Sequence, residues 1–362
     1  MRHVRPTILL CLVAMVSAGR ALADSGPAHQ VKQTPPVKMG TSGGSANDAT
    51  RLYCCGGTLG SLVLYDGQLH ILSNNHILAR SGSASAGEDT IQPGLIDTAC
   101  RTTSVNIVAD FIGNRVPLGS ANVDAALSLA RAGMVDTSGA ILDVGVPCSA
   151  IQAPTIGLAV MKSGRTSGLT TGTIQTVNAT VSIQYQKGCG SGKKFVITYT
   201  NQIGTTNMSA SGDSGSLLVS NDGTPNPVGL LYAGSSSATF YNPAQAVANA
   251  FTAGGHTFSF VGNSCGALTS TEGGAAPAAI AVGAIPADVV DRVTQIKSRN
   301  EHNLFRIPGV LGVGVGATEA NPQEPAVVIY LESPNGEVPR ALPHAVEDVK
   351  VRVIFTDPII AQ

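Results

Sequence analysis

Ser214, in the tetrapeptide Gly212-Asp213-Ser214-Gly215, is the residue of this sequence best suited to act as a nucleophile. A serine becomes a nucleophile when an imidazole accepts its proton, a carboxylate orients that imidazole, and amides stabilise the developing oxyanion. The flanking glycines allow a sharp turn, which would point the amides of Gly212 and Ser214 at one oxyanion hole. The same residues also suit an ordinary turn before a strand, so Ser214 needs partners elsewhere in the chain.

A histidine and an aspartate upstream could supply those partners. His76 follows the apolar segment 69–73 through two asparagines, and the end of a strand is a suitable position for a general base. Asp124 precedes the apolar segment 125–129, where a buried carboxylate could orient the imidazole. Either residue alone could equally be structural, but the order His76, Asp124, Ser214 is the order found in chymotrypsin. We therefore predict that these three residues form a catalytic triad.

The elements that must position these residues are short β-strands. Between about residues 52 and 265, β-type runs alternate with Gly, Asn, Asp and Pro, a pattern typical of a barrel or sandwich. The 42 glycines, the absence of Trp and the low aromatic content of 4% also favour a turn-rich β fold. The predicted strands are 58–65, 69–73, 125–129, 159–162, 172–178, 180–185, 194–199, 216–220 and 228–233.

Changes in composition divide the chain into five parts. Residues 1–23 combine Arg2 and Arg5 with an apolar run and a final Ala-Leu-Ala, which is typical of a cleavable signal peptide and predicts a secreted or periplasmic protein. The apolar run is shorter than the ~20 residues of a spanning helix, so we expect no membrane span. The other predicted parts are a flexible lead-in (24–50), a β-rich block (51–268), a Gly/Ala/Pro linker (269–284) and a small α+β domain (285–362).

The cysteines and the net charge narrow the classes of ligand. Six cysteines follow the predicted signal peptide, so an exported chain could form up to three disulfides. Adjacent Cys54 and Cys55 must take different partners, but the spacing leaves the connectivity open. No paired C-x-x-C spacing indicates zinc, so we expect no metal and no cofactor. A net charge of −1 with 12% charged residues offers no broad basic face, so we expect no nucleic-acid partner.

The last part of the chain contains a sequence similar to a dinucleotide-binding fingerprint. Residues 312–317 match G-x-G-x-x-A, which must open a helix in order to hold a pyrophosphate. Two prolines within 319–325 oppose such a helix, so we interpret the motif as a Gly-rich strand and turn. Helical spacing over 286–304 and strand patterns over 310–315, 326–331 and 349–355 predict the α+β content. Without a cluster of reactive side chains, a packing, partner-binding or self-inhibitory role is expected for this domain.

Several segments, in this order, resemble bacterial trypsin-like peptidases related to the plant narrow-leaf protein. They are residues 58–60, 72–79, 91–94, 122–126, 162–169 and 212–216. The resemblance spans most of residues 54–250. It implies an all-β, chymotrypsin-like double β-barrel made of two six-stranded barrels, with the active site between them. His76 and Asp124 would lie on the first barrel and Ser214 on the second.

The resemblance also implies residues that support the site and bind the substrate. Asp213 requires a counter-charge if it is buried, and Arg165, in a Ser-Gly-Arg-Thr stretch similar to that of secreted relatives, is the predicted partner. The primary pocket has no acidic residue placed to hold Lys or Arg, so small or medium apolar side chains are expected before the cleaved bond. The predicted pocket residues are Met208, Tyr232, Ala233, Gly234 and Ser235.

We therefore predict a secreted serine endopeptidase that acts on protein or peptide substrates through an acyl-enzyme on Ser214. Two other functions use the same features. A trypsin-like barrel can serve as an inactive binding module, because a fold alone does not guarantee chemistry. A serine esterase would share every catalytic residue, so only substrate kinetics would separate it from a peptidase.

Overall fold

The computed structural model describes residues 27–190, 192–265 and 285–362. The predicted signal peptide (1–23) and the predicted linker (269–284) lie outside the described residues. Most regular structure in the described residues belongs to two curled β-sheets.

The first sheet curls into a barrel of six strands with one extra strand at its edge. It has the order β14-β3-β4-β7-β6-β5-β1-β2, and β2 and β3 are two halves of one strand that is interrupted at Gly60. The two halves pair with β1 and β4, which completes the ring around an apolar core. The strands are β1 (Thr41–Ser45), β2 (Gly57–Leu59), β3 (Ser61–Tyr65), β4 (Gln68–Ser73), β5 (Glu88–Gln92), β6 (Asn106–Phe111), β7 (Ala126–Ala130) and β14 (Phe258–Phe260).

The second sheet contains another ring of six strands. Its order is β10-β13-β12-β11-β8-β9, and an additional pairing between β9 and β10 closes the ring. The predicted chymotrypsin-like double barrel is therefore confirmed. The strands are β8 (Ala159–Gly164), β9 (Gly168–Gln186), β10 (Lys194–Thr206), β11 (Leu217–Ser220), β12 (Pro227–Gly234) and β13 (Ala238–Pro243). Two helices accompany the barrels, namely α1 (Asn75–Leu78) and α2 (Ala244–Thr252).

The last part of the chain extends the second sheet. Its elements are α3 (Ala287–Phe305), β15 (Val310–Ala317), β16 (Pro325–Glu332), β17 (Ala345–Val346), β18 (Val349–Thr356) and β19 (Ile360–Ala361). Strand β15 pairs with the long β9, and Val293 and Val313 share an apolar core with Val160 of the barrel. The separate small domain expected for 285–362 is thus replaced by an α+β layer that is continuous with the second barrel. The fingerprint-like residues 312–317 lie in strand β15, as interpreted.

The flexible lead-in expected over 24–50 contains an integral strand of the first barrel. All five residues of β1 are buried, and they pair with β2 on one side and β5 on the other. A Cβ on Gly43 would lie 2.4 Å from Leu59 Cγ, so only a very small residue fits this close approach. The prediction was wrong here because a strand of Thr, Ser and Gly has no apolar pattern and is buried through backbone pairing.

Three disulfides join distant parts of the described chain. They connect Cys54 with Cys100, Cys55 with Cys189, and Cys148 with Cys265. The adjacent cysteines take different partners, as predicted. The Cys55–Cys189 bond links a loop of the first barrel to the turn between β9 and β10 of the second.

Two kinds of feature are absent from residues 27–190, 192–265 and 285–362. No helix there combines the length and apolar character needed to cross a bilayer. No group of three or more His, Cys, Asp or Glu side chains is arranged there to hold a metal ion.

Candidate active site

The structure brings the predicted base and the predicted carboxylate into contact. His76 lies in α1, directly after β4, and Asp124 precedes β7, which pairs with β4. His76 Nδ1 is 2.6 Å from Asp124 Oδ2, and the His76 amide donates to Oδ1 at 3.3 Å. The Asp124 side chain is fully buried, whereas that of His76 is 10% exposed. This is the geometry of a carboxylate that fixes the orientation of an imidazole.

Residues of the second barrel help to hold Asp124. The Tyr185 hydroxyl, on β9, donates to Asp124 Oδ2 at 2.9 Å. The Asp124 amide donates to Oδ1 of Asn242, on β13, at 2.9 Å. Asn74 Nδ2 donates to the Asp124 main-chain oxygen at 2.7 Å. The carboxylate of the first barrel is therefore positioned by both barrels.

Opposing effects set the pKa of His76. Burial lowers it, but the negative charge of Asp124 and its hydrogen bond outweigh burial and raise the pKa of His76 above 6.5. Asp48 adds a smaller contribution in the same direction. Burial raises the pKa of Asp48 itself to about 6, against the opposing charges of Arg80 and His76. Asp48, His76 and Arg80 line one cavity, so Asp48 is an ionisable neighbour of the predicted base.

The predicted nucleophile lies on a tight turn that faces the first barrel. Gly212 and Gly215 have φ values of +100° and +96°, which side-chain-bearing residues rarely adopt. The Thr58 amide donates to the Ser214 main-chain oxygen at 2.8 Å, and Thr58 Oγ1 donates to the Gly212 oxygen at 3.0 Å. Among the residues that the structure describes, neither the Gly212 amide nor the Ser214 amide donates a hydrogen bond. Both amides are thus available to an oxyanion.

The serine hydroxyl and the imidazole have other partners in this structure. Ser214 Oγ donates to the main-chain oxygen of Tyr232 at 3.2 Å. His76 Nε2 lies 3.2 Å from the main-chain oxygen of Gln362. The structure therefore joins His76 to Asp124 directly. Ser214 is hydrogen-bonded to Tyr232 of β12, and His76 contacts Gln362, which follows β19.

The predicted ion pair between Asp213 and Arg165 is wrong. Asp213 Oδ2 is 3.0 Å from Lys162 Nζ, and both side chains are fully buried. The carboxylate also accepts hydrogen bonds from the amides of Thr166, Ser167 and Ala210. Burial raises the pKa of Asp213, but Lys162 and these hydrogen bonds lower it below its usual value. Asp213 is therefore an ionised group with a complete set of partners.

Arg165 pairs with a different carboxylate. Its Nε and Nη2 atoms donate to Asp97 at 2.8 and 2.5 Å, a bidentate arrangement. Its amide donates to Thr58 Oγ1 at 2.9 Å. A Cβ on Gly212 would lie 2.8 Å from Arg165 Nη1, so the guanidinium covers the outside of the turn that contains Gly212. Arg165 thus contacts the turn without neutralising Asp213.

All five predicted pocket residues are buried. Met208 is 5% exposed, and its oxygen accepts a hydrogen bond from Thr170 Oγ1. Tyr232, Ala233 and Gly234 form the end of β12, and Ser235 follows in the turn to β13. Ala233 and Gly234 pair with Ala361 and Ile360 of β19. The edge expected to receive substrate is therefore covered by residues of this chain.

The sequence contained signals for some of the residues that the prediction missed. Lys162 shares a face of β8 with Val160, and an inward-facing lysine requires a buried carboxylate. Tyr185 and Asp48 carried no comparable signal, because their roles depend on contacts with residues far away in the chain. The same holds for Gln362, which is 286 positions from His76.

One protein family matches part of this chain. The model of the family described as the Nal1 C-terminal domain matches residues 121–247. The predicted relation to the narrow-leaf family is confirmed over this stretch. No curated protein matches the chain.

Solved structures of serine proteases are similar to this chain at low identity. A glutamic-acid-specific serine protease is 19% identical, with a TM-score of 0.43, and covers 62% of this chain and 100% of its own. Protease A of Thermobifida fusca is 19% identical, with a TM-score of 0.40 and coverages of 57% and 92%. The chymotrypsin of Cellulomonas bogoriensis is 20% identical, with a TM-score of 0.40 and coverages of 63% and 99%.

Replacement of the buried lysine tests the corrected ion pair. Lys162→Met leaves the Asp213 carboxylate buried without its counter-charge, which should lower the free energy of unfolding by about 3–5 kcal/mol. The control Lys350→Met removes an exposed pair with Glu324, so it should change the free energy of unfolding far less. Urea denaturation measures both. Adding Asp213→Asn to Lys162→Met should recover part of the loss, and equal losses in the two lysine variants would contradict the assignment.

The protonation of His76 should control the pH profile of the site. A general base must be neutral, and the pKa of His76 is raised, so the reactivity of Ser214 should increase with pH through a midpoint above 6.5. Asp48→Asn removes a charge that raises this pKa and should shift the midpoint to lower pH. Labelling rates with a fluorophosphonate between about pH 5 and pH 9 measure the shift. The exposed variant Asp222→Asn serves as control, and a midpoint unchanged by Asp48→Asn would refute the coupling.

Proposed function

We propose that this chain is an exported serine endopeptidase that cleaves peptide bonds through an acyl-enzyme on Ser214. The contact of 2.6 Å between His76 Nδ1 and Asp124 Oδ2, opposite the glycine-flanked turn of Ser214, is the observation that carries the proposal. Three disulfides suit an oxidising compartment and support export.

The reaction assigns each group one task. Ser214 Oγ leaves its hydrogen bond with Tyr232 by rotation about the Cα–Cβ bond, attacks the scissile carbonyl and gives its proton to His76 Nε2. The amides of Gly212 and Ser214 donate to the oxyanion of the tetrahedral intermediate. His76 then returns the proton to the leaving amine, and a water molecule hydrolyses the acyl-enzyme by the same route. Asp124 stays ionised and stabilises the imidazolium.

The protein supplies this geometry without a new N-terminal amine. Lys162 neutralises Asp213 from within the second barrel, and Asp213 precedes Ser214 on the turn. The turn is therefore set as soon as the barrel folds. Activation by N-terminal cleavage is not needed in this mechanism.

The proposed substrate is an extended peptide that pairs with the edge of β12. Main-chain groups of Tyr232 to Gly234 would bind the residues before the scissile bond, as in strand addition to a sheet edge. Met208 lies six positions before Ser214, and no acidic side chain is among the predicted pocket residues. We therefore expect small or medium apolar side chains immediately before the cleaved bond.

Covalent labelling tests the nucleophile. A fluorophosphonate should label the protein with one equivalent at Ser214, and Ser214→Ala should abolish labelling because no other hydroxyl among the described residues has these neighbours. Asp124→Asn should slow labelling by about 10⁴-fold, since the imidazole would be held in the wrong tautomer. Mass spectrometry of the labelled peptide identifies the site. An unlabelled wild-type protein with native circular dichroism would favour the inactive binding module.

A peptide-library digest tests the substrate preference. Cleavage products should end mainly in small or medium apolar residues, because the pocket lacks a carboxylate that could hold a cation. Sequencing of the products gives the profile, with Ser214→Ala as the blank. Products that end mainly in Arg or Lys would refute the expected preference, and hydrolysis of esters without any peptide cleavage would indicate an esterase.

A further inference from the structure

Residues 360–362 cover the edge that should receive substrate. Ile360 and Ala361 form β19, in which Ala361 pairs with Ala233 and Ile360 pairs with Gly234 in antiparallel register. On its other side, Ile360 pairs with Gln184 of β9 in parallel register. The segment thus occupies the groove between β12 and β9.

Gln362, the next residue, contacts the groups proposed for catalysis. Its amide donates to the Tyr232 oxygen at 3.3 Å, and the same oxygen accepts the hydrogen bond from Ser214 Oγ at 3.2 Å. Its own main-chain oxygen lies 3.2 Å from His76 Nε2. The main chain of Gln362 therefore contacts both the base and the carbonyl that holds the nucleophile.

The residues just before this segment anchor it to the second barrel. Asp357 Oδ1 accepts hydrogen bonds from the amide and hydroxyl of Ser236, at 2.7 and 2.6 Å. Ile359 is 1% exposed in an apolar cluster, and its oxygen accepts a hydrogen bond from the Gln184 amide at 2.9 Å. The anchor is independent of residues 360–362, so these three residues could leave the groove while the anchor stays in place.

The side chain of Gln362 fits the groove only in part. Its Nε2 atom lies 2.3 Å from the position that a Cβ on Gly234 would occupy, so the groove accepts the side chain because Gly234 has none. Its Oε1 atom is buried and has no hydrogen-bond partner among the described residues. A buried acceptor without a partner weakens binding, so a better-matched peptide should displace this segment.

From these contacts we infer that residues 360–362 act as a tethered inhibitor, binding the peptide groove in the manner of the substrate residues that precede the scissile bond. The inference rests on the proposed peptidase function and adds the regulation of that site. A tether supplies an effective concentration in the millimolar range, so a segment with an intrinsic dissociation constant of about 0.1 mM would leave only about a tenth of the sites open.

Protonation of His76 strengthens this inhibition. Nδ1 faces the Asp124 carboxylate and Nε2 faces the Gln362 oxygen, and both nitrogens can donate only when the ring is an imidazolium. The other polar groups that face the ring are Asp48 and Tyr185, and Arg80 lines the same cavity. Deprotonation of His76 at higher pH removes the hydrogen bond to Gln362, so the segment should be released as pH rises.

Labelling rates of three full-chain variants and one shortened chain test the inhibition. A chain that stops after Ile359 should react with a fluorophosphonate about tenfold faster than the wild type. Gln362→Pro removes the amide that donates to Tyr232 and should also react faster. Gln362→Met retains that amide and removes the unpaired Oε1, so it should react at the wild-type rate or more slowly. Ser214→Ala supplies the unlabelled control in each case.

Binding of a peptide provides a measurement that does not require catalysis. A fluorescent peptide with the sequence of residues 358–362 should bind the shortened chain carrying Ser214→Ala, and it should bind the complete Ser214→Ala chain at least about tenfold more weakly. Fluorescence anisotropy measures both affinities, and thermal unfolding shows whether the shortened chain is folded. If that chain is unfolded, the same comparison is made with Gln362→Pro.

The outcomes separate the inhibition from the peptidase function. Equal labelling rates in all chains, with labelling abolished by Ser214→Ala, would overturn the inhibition and leave the peptidase intact. Absence of labelling in every chain would overturn the peptidase function and the inhibition together. Equal peptide binding to the complete and shortened chains would show that residues 360–362 do not compete for the groove.

Discussion

The buried pair between Asp213 and Lys162 is the interaction on which the site depends most. It fixes the carboxylate next to Ser214 inside the second barrel, where an isolated charge would be costly. The amides of Thr166, Ser167 and Ala210 donate further hydrogen bonds to the Asp213 carboxylate and connect the turn to the strands around it. A turn held in this way keeps the amides of the proposed oxyanion hole pointed at one place before substrate arrives, which is the preorganisation that acyl transfer requires.

Close docking of the two barrels is the second requirement, because each contributes part of the site. Thr58 of the first barrel donates to the turn that contains Ser214, and Tyr185 of the second donates to Asp124 on the first. At the contact, a Cβ on Gly60 would lie 1.8 Å from the Gly215 oxygen, so the backbones meet with no side chain between them. The proposed catalytic groups can therefore hold their distances only while both barrels remain in contact.

The α+β layer after residue 285 has a structural and a positional effect. It continues the sheet of the second barrel through β15 and shares its apolar core, so it cannot be regarded as a freely tethered domain. The same layer returns the chain to the groove beside β12, where β19 pairs with Ala233 and Gly234. One extension of the sheet thus both stabilises the barrel that carries the proposed nucleophile and places a peptide segment at the site.

The sequence by itself determined the local features, namely most of the strands, the glycine-flanked serine turn, and the order of His76, Asp124 and Ser214. These follow from residue type and short-range spacing. It could not determine that β1 is a barrel strand, because small polar residues give no apolar alternation. It also led to the pairing of Asp213 with Arg165, which directly follows β8, whereas Lys162 within β8 is the true partner. Only the tertiary structure decided that pairing and the position of Gln362 at His76, since strand direction and barrel closure determine which distant side chains and backbone groups meet.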